Sequence, residues 1–232
     1  MTTIYWCPVL GIKPNPRLPL HSSMEIFFQQ PDPLFKAIAE QYKGAEFLEC
    51  PAVQDMCKNT FVIRAPFDVE MSCNEEGHLV IDRLGQMFYD SFCHRRPDGS
   101  VETAPSYLFY SDIPTKAEFI PVFLLKSSTA DGVHYIPGQF DIGRWIRPVV
   151  WDFFFKDPTK PLMVKENDPL FFVRFTPEDG SKVEFKRVEY DNEHIKVSNA
   201  CKDLKQYVRK MPLKTLYDKS EAYIQHFKEK NT

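Results

Sequence analysis

Glycine is scarce in this sequence, at nine of 232 residues. A loop that wraps a phosphate needs closely spaced glycines, because they let the backbone amides approach the phosphate oxygens. The sequence contains no such loop, no G-x-S-x-G nucleophile elbow and no H-E-x-x-H zinc helix. These absences weigh against the enzyme classes that depend on those motifs.

Paired cysteines and long apolar runs are also missing. The six cysteines form no C-x-x-C pair, and the first residues show no basic region leading into an apolar segment. No run approaches the ~18 apolar residues that indicate a membrane-spanning helix. The sequence therefore predicts a protein with reduced thiols that is neither secreted nor inserted in a membrane.

A strong overall charge is absent too. The chain carries 29 Lys and Arg against 32 Asp and Glu, a net charge of −3, so no global basic field attracts nucleic acid or an anionic membrane. Positive charge is concentrated in residues 201–232, where eight Lys and Arg stand against four acids, a balance of +4. Such lysines are typical of the solvated face of a helix, and this local patch is the one place where nucleic acid contact is considered.

Aromatic residues and prolines are abundant, with 20 Phe and 19 Pro. From residue 60 to residue 190, short apolar segments recur about every ten residues, separated by turn sequences such as CNEEG, RRPDGS and TPEDGS. Aromatic and β-branched residues favour strands, and this spacing is typical of antiparallel sheets. The predicted fold is mainly β, an antiparallel β-sandwich or jelly-roll-like domain.

One short helix is predicted before these strands, near residues 33–43. Asp32 is suited to cap its N-terminus, Pro33 suits the first helical position, and Gly44 suits the end. The strand-like pattern ends at Tyr190, where the apolar residues take up the helical period.

Two C-terminal helices are predicted from this change of period. Their apolar stripes consist of Val197, Cys201, Leu204 and Val208 and of Leu213, Leu216, Tyr223 and Phe227. We therefore expect a β-domain at residues 1–190 and a helical appendage at residues 191–232. The apolar stripes indicate that the appendage packs on the β-domain or on a partner.

Three histidines, His78, His94 and His134, are the candidates for a metal site inside a β-fold. Such a site needs two histidines and a carboxylate from neighbouring strands, usually with H-x-H or H-x-D in one strand. None of the three has a second ligand at that spacing, so we predict no metal and no cofactor. Cys93 is expected to be a buried small residue rather than a nucleophile, because adjacent strand residues such as His94 point to the opposite face.

The segment IPGQFDIGRWIRPVVWDFFF combines an apolar run with the charges of Asp141, Arg144, Arg147 and Asp152. In its second half, apolar residues occupy both faces of the alternating pattern, which predicts a central strand covered on two sides. Charges beside a crowded core are tolerated best when they are paired. The four charges therefore either pair with one another or form a ligand-binding cluster at the end of a sheet.

Most of the chain, from Cys50 to Cys201, carries a resemblance to a known family. The matching segments, in order, are CPAVQDMCKNTFVIRAPFDVEM, FDIGRWIRPVVWDFFF, DPLFFVRF and FKRVEYDNEHIKVSNAC. Together they resemble a family of uncharacterised proteins encoded by tailed phages, especially marine and cyanobacterial phages. The resemblance implies a phage-encoded protein in the host cytoplasm during infection or in the virion, and it brings no catalytic motif.

A second likeness concerns architecture. Three segments follow one another as strand, turn and strand, in an order similar to that of the β-clip fold of the dUTPase and dCTP deaminase group. The segments are YIPGQFDIGRW, KDPTKP and LMVKENDPLFFVRF. The sequence lacks the uracil-reading hairpin and the metal-triphosphate residues of that group. This likeness therefore bears on the fold and not on an activity.

Two functions are compatible with the sequence. The first, which the aromatic-rich sheets and the helical appendage favour, is a non-enzymatic module that binds a protein partner or itself, or belongs to a virion. The second is a small-molecule or nucleotide enzyme with a β-clip or cupin-like pocket. The ligand-binding candidates for such a pocket are Asp141, Arg144, Arg147, His134 and His78. No catalytic residue is assigned.

Overall fold

The computed structural model describes residues 1–9, 28–82, 93–207 and 211–231. The strands in these ranges are β1 (Thr2–Val9), β2 (Asp32–Pro33), β3 (Thr60–Arg64), β4 (Val69–Cys73), β5 (Leu79–Asp82), β6 (Cys93–Arg95), β7 (Val101–Ser111), β8 (Thr115–Ile120), β9 (Val133–Tyr135), β10 (Gly138–Asp141), β11 (Pro148–Phe155), β12 (Leu162–Val164), β13 (Pro169–Pro177) and β14 (Val183–Arg187). The helices are α1 (Leu34–Gln41), α2 (Pro51–Cys57), α3 (Asn192–Tyr207) and α4 (Leu213–Asn231), with a 3-10 turn at Glu46–Glu49. The fold is mainly β, as the sequence predicts.

The strands form three sheets. Sheet A has the order β14-β1-β7-β11-β9, with β6 also paired to β7. Sheet B has the order β10-β8-β13-β3-β2, and the small sheet C has the order β12-β4-β5. Within the described residues the neighbouring strands are antiparallel, except that β1 and β14 run parallel. The antiparallel prediction is therefore confirmed for the sheets, with one parallel pair at an edge of sheet A.

Sheets A and B face each other across the main core. Alternate residues of β1, β7 and β11 point inward, among them Trp6, Phe109 and Phe153, all nearly fully buried. Phe119 and Phe175 oppose them from sheet B, and the rings of Phe109 and Phe175 lie 5.4 Å apart in an edge-to-face arrangement. Such aromatic pairs bury large areas in a preferred geometry, which fixes the distance between the sheets.

Helices cover the outer faces of both sheets. On sheet B, Ile38 of α1 shares a buried cluster with Val62 and Phe172. On sheet A, α3 and α4 cover Tyr110, whose ring centroid lies 5.1 Å from that of Phe227 in α4. The order of layers is therefore helix, sheet, sheet, helix, in which each sheet buries both of its faces.

Sheet C closes one end of the sandwich. Its residues Met71, Leu79 and Val164 are buried in the main core. An apolar cavity of about 60 Å³ remains where the three sheets meet, and Trp151 forms part of its wall. The indole Nε1 of Trp151 is buried without a hydrogen-bond partner among the described residues.

The predicted short helix is present as α1, but its start differs from the prediction. Pro33 lies at the N-cap position, and Asp32 makes no capping hydrogen bond. Asp32 instead belongs to β2, and its Oδ2 lies 3.1 Å from Nε of Arg64 in β3. The capping prediction was wrong because an arginine on the neighbouring strand takes the carboxylate. Gly44, with a φ of +82°, lies in the turn after the helix, where glycine is the least strained residue.

Both C-terminal helices are present, and they pack on sheet A. The buried positions of α4 are Leu216, Ser220, Ile224 and Phe227, whereas Leu213 and Tyr223 are exposed. The predicted stripe was thus partly wrong, because Ile224 rather than Tyr223 completes it. The proline-rich connector at residues 11–19 and position 208 of the first stripe lie outside the described residues. In the described part of the chain, no helix is both long and apolar enough to cross a membrane.

Gly143 lies against the connection between β7 and β8. A Cβ atom at this position would come within 2.3 Å of the carbonyl oxygen of Ile113 and 3.0 Å of the Cα of Pro114. Because these are backbone atoms, we expect Gly143→Ala to lower the free energy of unfolding by about 1–3 kcal/mol, measured by urea unfolding.

Gly138→Ala is the matched control, since a Cβ at Gly138 would meet nothing within 4 Å. This control should change the free energy of unfolding by less than about 1 kcal/mol. Equal losses of unfolding free energy in Gly143→Ala and Gly138→Ala would contradict the close packing of Gly143 against the connection between β7 and β8.

Candidate functional site

A pocket opens along one side of the sandwich, between the edge strands β9 and β10 and the first turns of α4. Its volume is about 250 Å³. We call it the seam pocket, with apolar walls formed by Phe119, Tyr135, Phe140, Trp145, Leu213 and Leu216 and polar groups from Gln139, Arg147 and Asp152. An apolar pocket with a few polar groups is the usual form of a ligand or anchor site.

The turn between β10 and β11 brings Arg147 to this pocket. Oδ1 of Asp141 accepts hydrogen bonds from the backbone N–H groups of Thr115 and Gly143, both at 2.9 Å. The hydroxyl of Ser220 in α4 donates to the carbonyl oxygen of Arg144 at 2.9 Å. The turn is therefore fixed to sheet B and to α4, which leaves the next arginine at the entrance of β11.

Arg147 carries a charge that is poorly neutralised. Its guanidinium carbon lies 5.8 Å from the ring centroid of Phe140, and its Nε lies 3.4 Å from the carbonyl oxygen of Pro148. Within the described residues, no carboxylate oxygen comes within 4.0 Å of it. Burial lowers the pKa of Arg147, yet a guanidinium remains protonated in proteins. The seam pocket therefore contains a partly buried cation with no directly bonded anion among the described residues.

The nearby carboxylates belong to a different arginine. Oδ2 of Asp152 lies 3.4 Å from both terminal nitrogens of Arg96, and Oε2 of Glu102 lies 2.9 Å from one of them. Asp152 and Glu102 are directly opposite each other on β11 and β7. Burial raises the pKa of Asp152, and the adjacent Glu102 raises it further, against the lowering effect of Arg96. Arg96 thus joins two like charges that would otherwise repel each other.

The four charges of the segment at residues 136–155 do not pair with one another. Asp141 fixes the turn, and Asp152 pairs with Arg96. Arg144 extends to α4, where its Nη2 lies 3.3 Å from Oδ1 of Asp218. The predicted mutual pairing was therefore wrong, because partners distant in the sequence take three of the four charges.

The predicted histidines lie away from the seam pocket. His134 is exposed on the edge strand β9. His78 is exposed in the turn before β5, with Nδ1 3.4 Å from the carboxylate of Glu76. Of the five predicted ligand-binding residues, Arg147 alone lines the seam pocket. The structure does not bring the other four together with it.

Sequence reasoning missed Tyr135 and Gln139 as parts of the pocket. Tyr135 stacks on Phe171 with ring centroids 5.5 Å apart, and burial raises the pKa of its hydroxyl. Both missed residues flank the Pro137–Gly138 corner between β9 and β10. The proline and glycine of this corner were the available signal, since they mark a change of direction at which the chain passes from one sheet to the other.

Two other reactive side chains, Cys93 and His194, are enclosed in the fold. Burial raises the pKa of the Cys93 thiol to about 12, in agreement with the predicted buried small residue. His194 is buried at the start of α3, with Nδ1 2.7 Å from Oδ1 of Asp191, which also accepts the backbone N–H groups of residues 193 and 194. In the ranges that the structure covers, no group of three or more His, Cys, Asp or Glu side chains could hold a metal ion.

Comparison with known proteins adds no identity. No protein-family model matches the chain, and neither a curated protein nor a solved structure matches it. The site is therefore interpreted from its own geometry.

Asp152→Asn tests the carboxylate cluster through its pH dependence. Because the pKa of Asp152 is raised in the folded state above its ordinary value of 3.8, ionisation of this group costs the folded state more than the unfolded state. The wild type should therefore lose stability relative to Asp152→Asn as the pH rises from about 3.8 through the raised pKa, and the difference should then become constant. Urea unfolding at a series of pH values measures this difference.

Asp131→Asn is the matched control, since Asp131 is exposed and makes no hydrogen bond or ion pair with the described residues. This variant measures how the free energy of unfolding changes when one surface carboxylate is lost. A free energy of unfolding of the wild type that rises relative to that of Asp152→Asn as the pH increases would contradict the assigned direction.

Proposed function

We propose that this protein is a non-catalytic interaction module that binds a carboxylate of its partner in the seam pocket. The observation that carries the proposal is the guanidinium of Arg147, which lies in a largely apolar pocket without a carboxylate in contact. A charge removed from water is costly unless an opposite charge and hydrogen bonds compensate for it. A bound carboxylate supplies both.

The shape of the guanidinium specifies the kind of anion. Arginine presents parallel N–H donors that match the two oxygens of a carboxylate, and such charge-assisted pairs are about twice as strong as neutral hydrogen bonds. The surrounding rings of Phe119, Tyr135 and Phe140 suit an aromatic or apolar group next to the carboxylate. Asp152 lines the same pocket and its charge acts on Arg147. Its Oδ2 is bonded to Arg96, its Oδ1 has no hydrogen-bond partner among the described residues, and neither oxygen lies within 4.0 Å of the Arg147 guanidinium.

The enzyme alternative has less support from the geometry. A cupin-like or β-clip-like site made from the predicted residues would need His78, His134, Asp141 and Arg144 beside Arg147. His78 lies in a turn, and His134 lies on an exposed edge strand. Asp141 binds the backbone of Thr115, and Arg144 pairs with Asp218. The resemblance to tailed-phage proteins suggests that the partner is a phage or host protein of an infected cell, or a component of the virion.

Benzoate and benzamide are the probes that test the carboxylate site. They have nearly the same size and shape, but benzoate alone carries a negative charge for Arg147. We expect benzoate to bind at millimolar concentration, with NMR shifts confined to residues around the seam pocket. Arg147→Gln should weaken this binding by about 10- to 100-fold, the loss typical of a hydrogen bond to a charged group.

Arg144→Gln is the matched control, since Arg144 pairs with Asp218 and does not line the seam pocket. It should leave the affinity for benzoate unchanged. Equal binding of benzoate and benzamide, or equal weakening by the two arginine variants, would refute the proposed site.

A further inference from the structure

Among the described residues, no strand pairs with the outer edge of β10, which lies beside the seam pocket. Phe140 lies opposite Ala117 in β8, and the backbone N–H of Ile142 donates to the carbonyl oxygen of Thr115 at 2.9 Å. The N–H of Asp141 points the other way and donates to the hydroxyl of Tyr217 at 2.8 Å. Because backbone groups alternate along an antiparallel strand, the N–H and C=O of Gln139 also point away from β8.

The exposed residues of this edge carry no charge that would block strand addition. Exposed sheet edges are commonly protected by charged side chains, proline within the strand or very short length. β14, an edge of sheet A, carries exposed Glu184, Lys186 and Arg187, and β2, an edge of sheet B, has two residues. β10 exposes Gly138 and Gln139, which carry no charge.

The open edge is short, and its length limits what it can pair with. Pro137 has no N–H to donate, and the N–H of Asp141 is bonded to Tyr217. Gln139 therefore offers the one complete pair of N–H and C=O groups on the outer side of β10. One residue pair suits the end of a polypeptide rather than a long strand.

Gln139 and Arg147 line the same pocket, so a chain paired with β10 reaches the guanidinium. Building on the carboxylate site proposed above, we infer that the occupant is the C-terminal end of a partner polypeptide. Its backbone pairs with Gln139, its terminal carboxylate binds Arg147, and its last side chain lies among the aromatic walls. The carboxylate supplies the charge complementarity, and the backbone pairing sets the direction of the chain.

The test uses N-acetylphenylalanine, which contains a carboxylate, an aromatic side chain and one amide. Its comparison compound is 2-acetoxy-3-phenylpropanoate, in which an ester oxygen replaces the amide N–H. We expect the amide to bind about three- to tenfold more tightly than the ester, because the ester cannot donate to the carbonyl oxygen of Gln139. Calorimetry and the NMR shift of the Gln139 amide measure the binding.

Gln139→Pro tests the same backbone pairing by changing the protein instead of the ligand. It removes the outward N–H without removing a hydrogen bond to β8, and proline is tolerated on an edge strand. It should weaken N-acetylphenylalanine and leave benzoate unchanged, whereas Gln139→Ala, which keeps the N–H, should bind both as the wild type does.

The outcomes separate this inference from the proposed function. Equal affinities for the amide and the ester, with binding still dependent on Arg147, would overturn strand pairing and leave the carboxylate site intact. Binding of both compounds that does not depend on Arg147 would overturn the carboxylate site itself. Loss of amide binding in Gln139→Ala as well as in Gln139→Pro would also overturn backbone pairing, since it would implicate the side chain.

Discussion

Burial of both faces of sheet A is the constraint on which the rest of the structure depends. Trp6 and Phe109 face sheet B, while Tyr5, Leu108 and Tyr110 on the alternate positions face the C-terminal helices. A sheet that is apolar on both faces has no place for charge except at its margins. The charged residues of β7 and β11, Glu102 and Asp152, are accordingly partly exposed and share Arg96 as a partner.

The two arginines at this margin have different electrostatic surroundings. Arg96 holds two carboxylates, so the charges of Asp152 and Glu102 are compensated within the fold. Arg147 has a ring and a backbone carbonyl as its short contacts. The first is a structural group. The second is the group that we propose as a binding group, because an anion bound to it would compensate for the partial loss of its hydration.

Composition and periodicity predicted the mainly β fold, the C-terminal helices and the burial of Cys93, since these depend on local patterns. The charge pairs depend on long-range register. A bulge between Val149 and Trp151 shifts the pairing of β11 with β7 and places Asp152 opposite Glu102, a register that the alternating pattern of β11 alone does not give. The contact of Arg144 with Asp218 likewise joins elements 74 residues apart. Arg147 was among the candidates, but the sequence did not predict that no carboxylate of the described residues lies within 4.0 Å of it.

The most direct test of the central claim compares the stability of the free protein in two variants, Arg147→Met and Arg96→Met. If Arg147 is a partly buried cation without a bonded carboxylate, methionine should raise the free energy of unfolding, because an apolar side chain of similar length suits the pocket better. Arg96→Met should lower it by about 1–2 kcal/mol, since two partly exposed carboxylates lose their shared partner. Comparable destabilisation by both substitutions in urea unfolding would show that Arg147 is a structural ion-pair residue and would contradict the account.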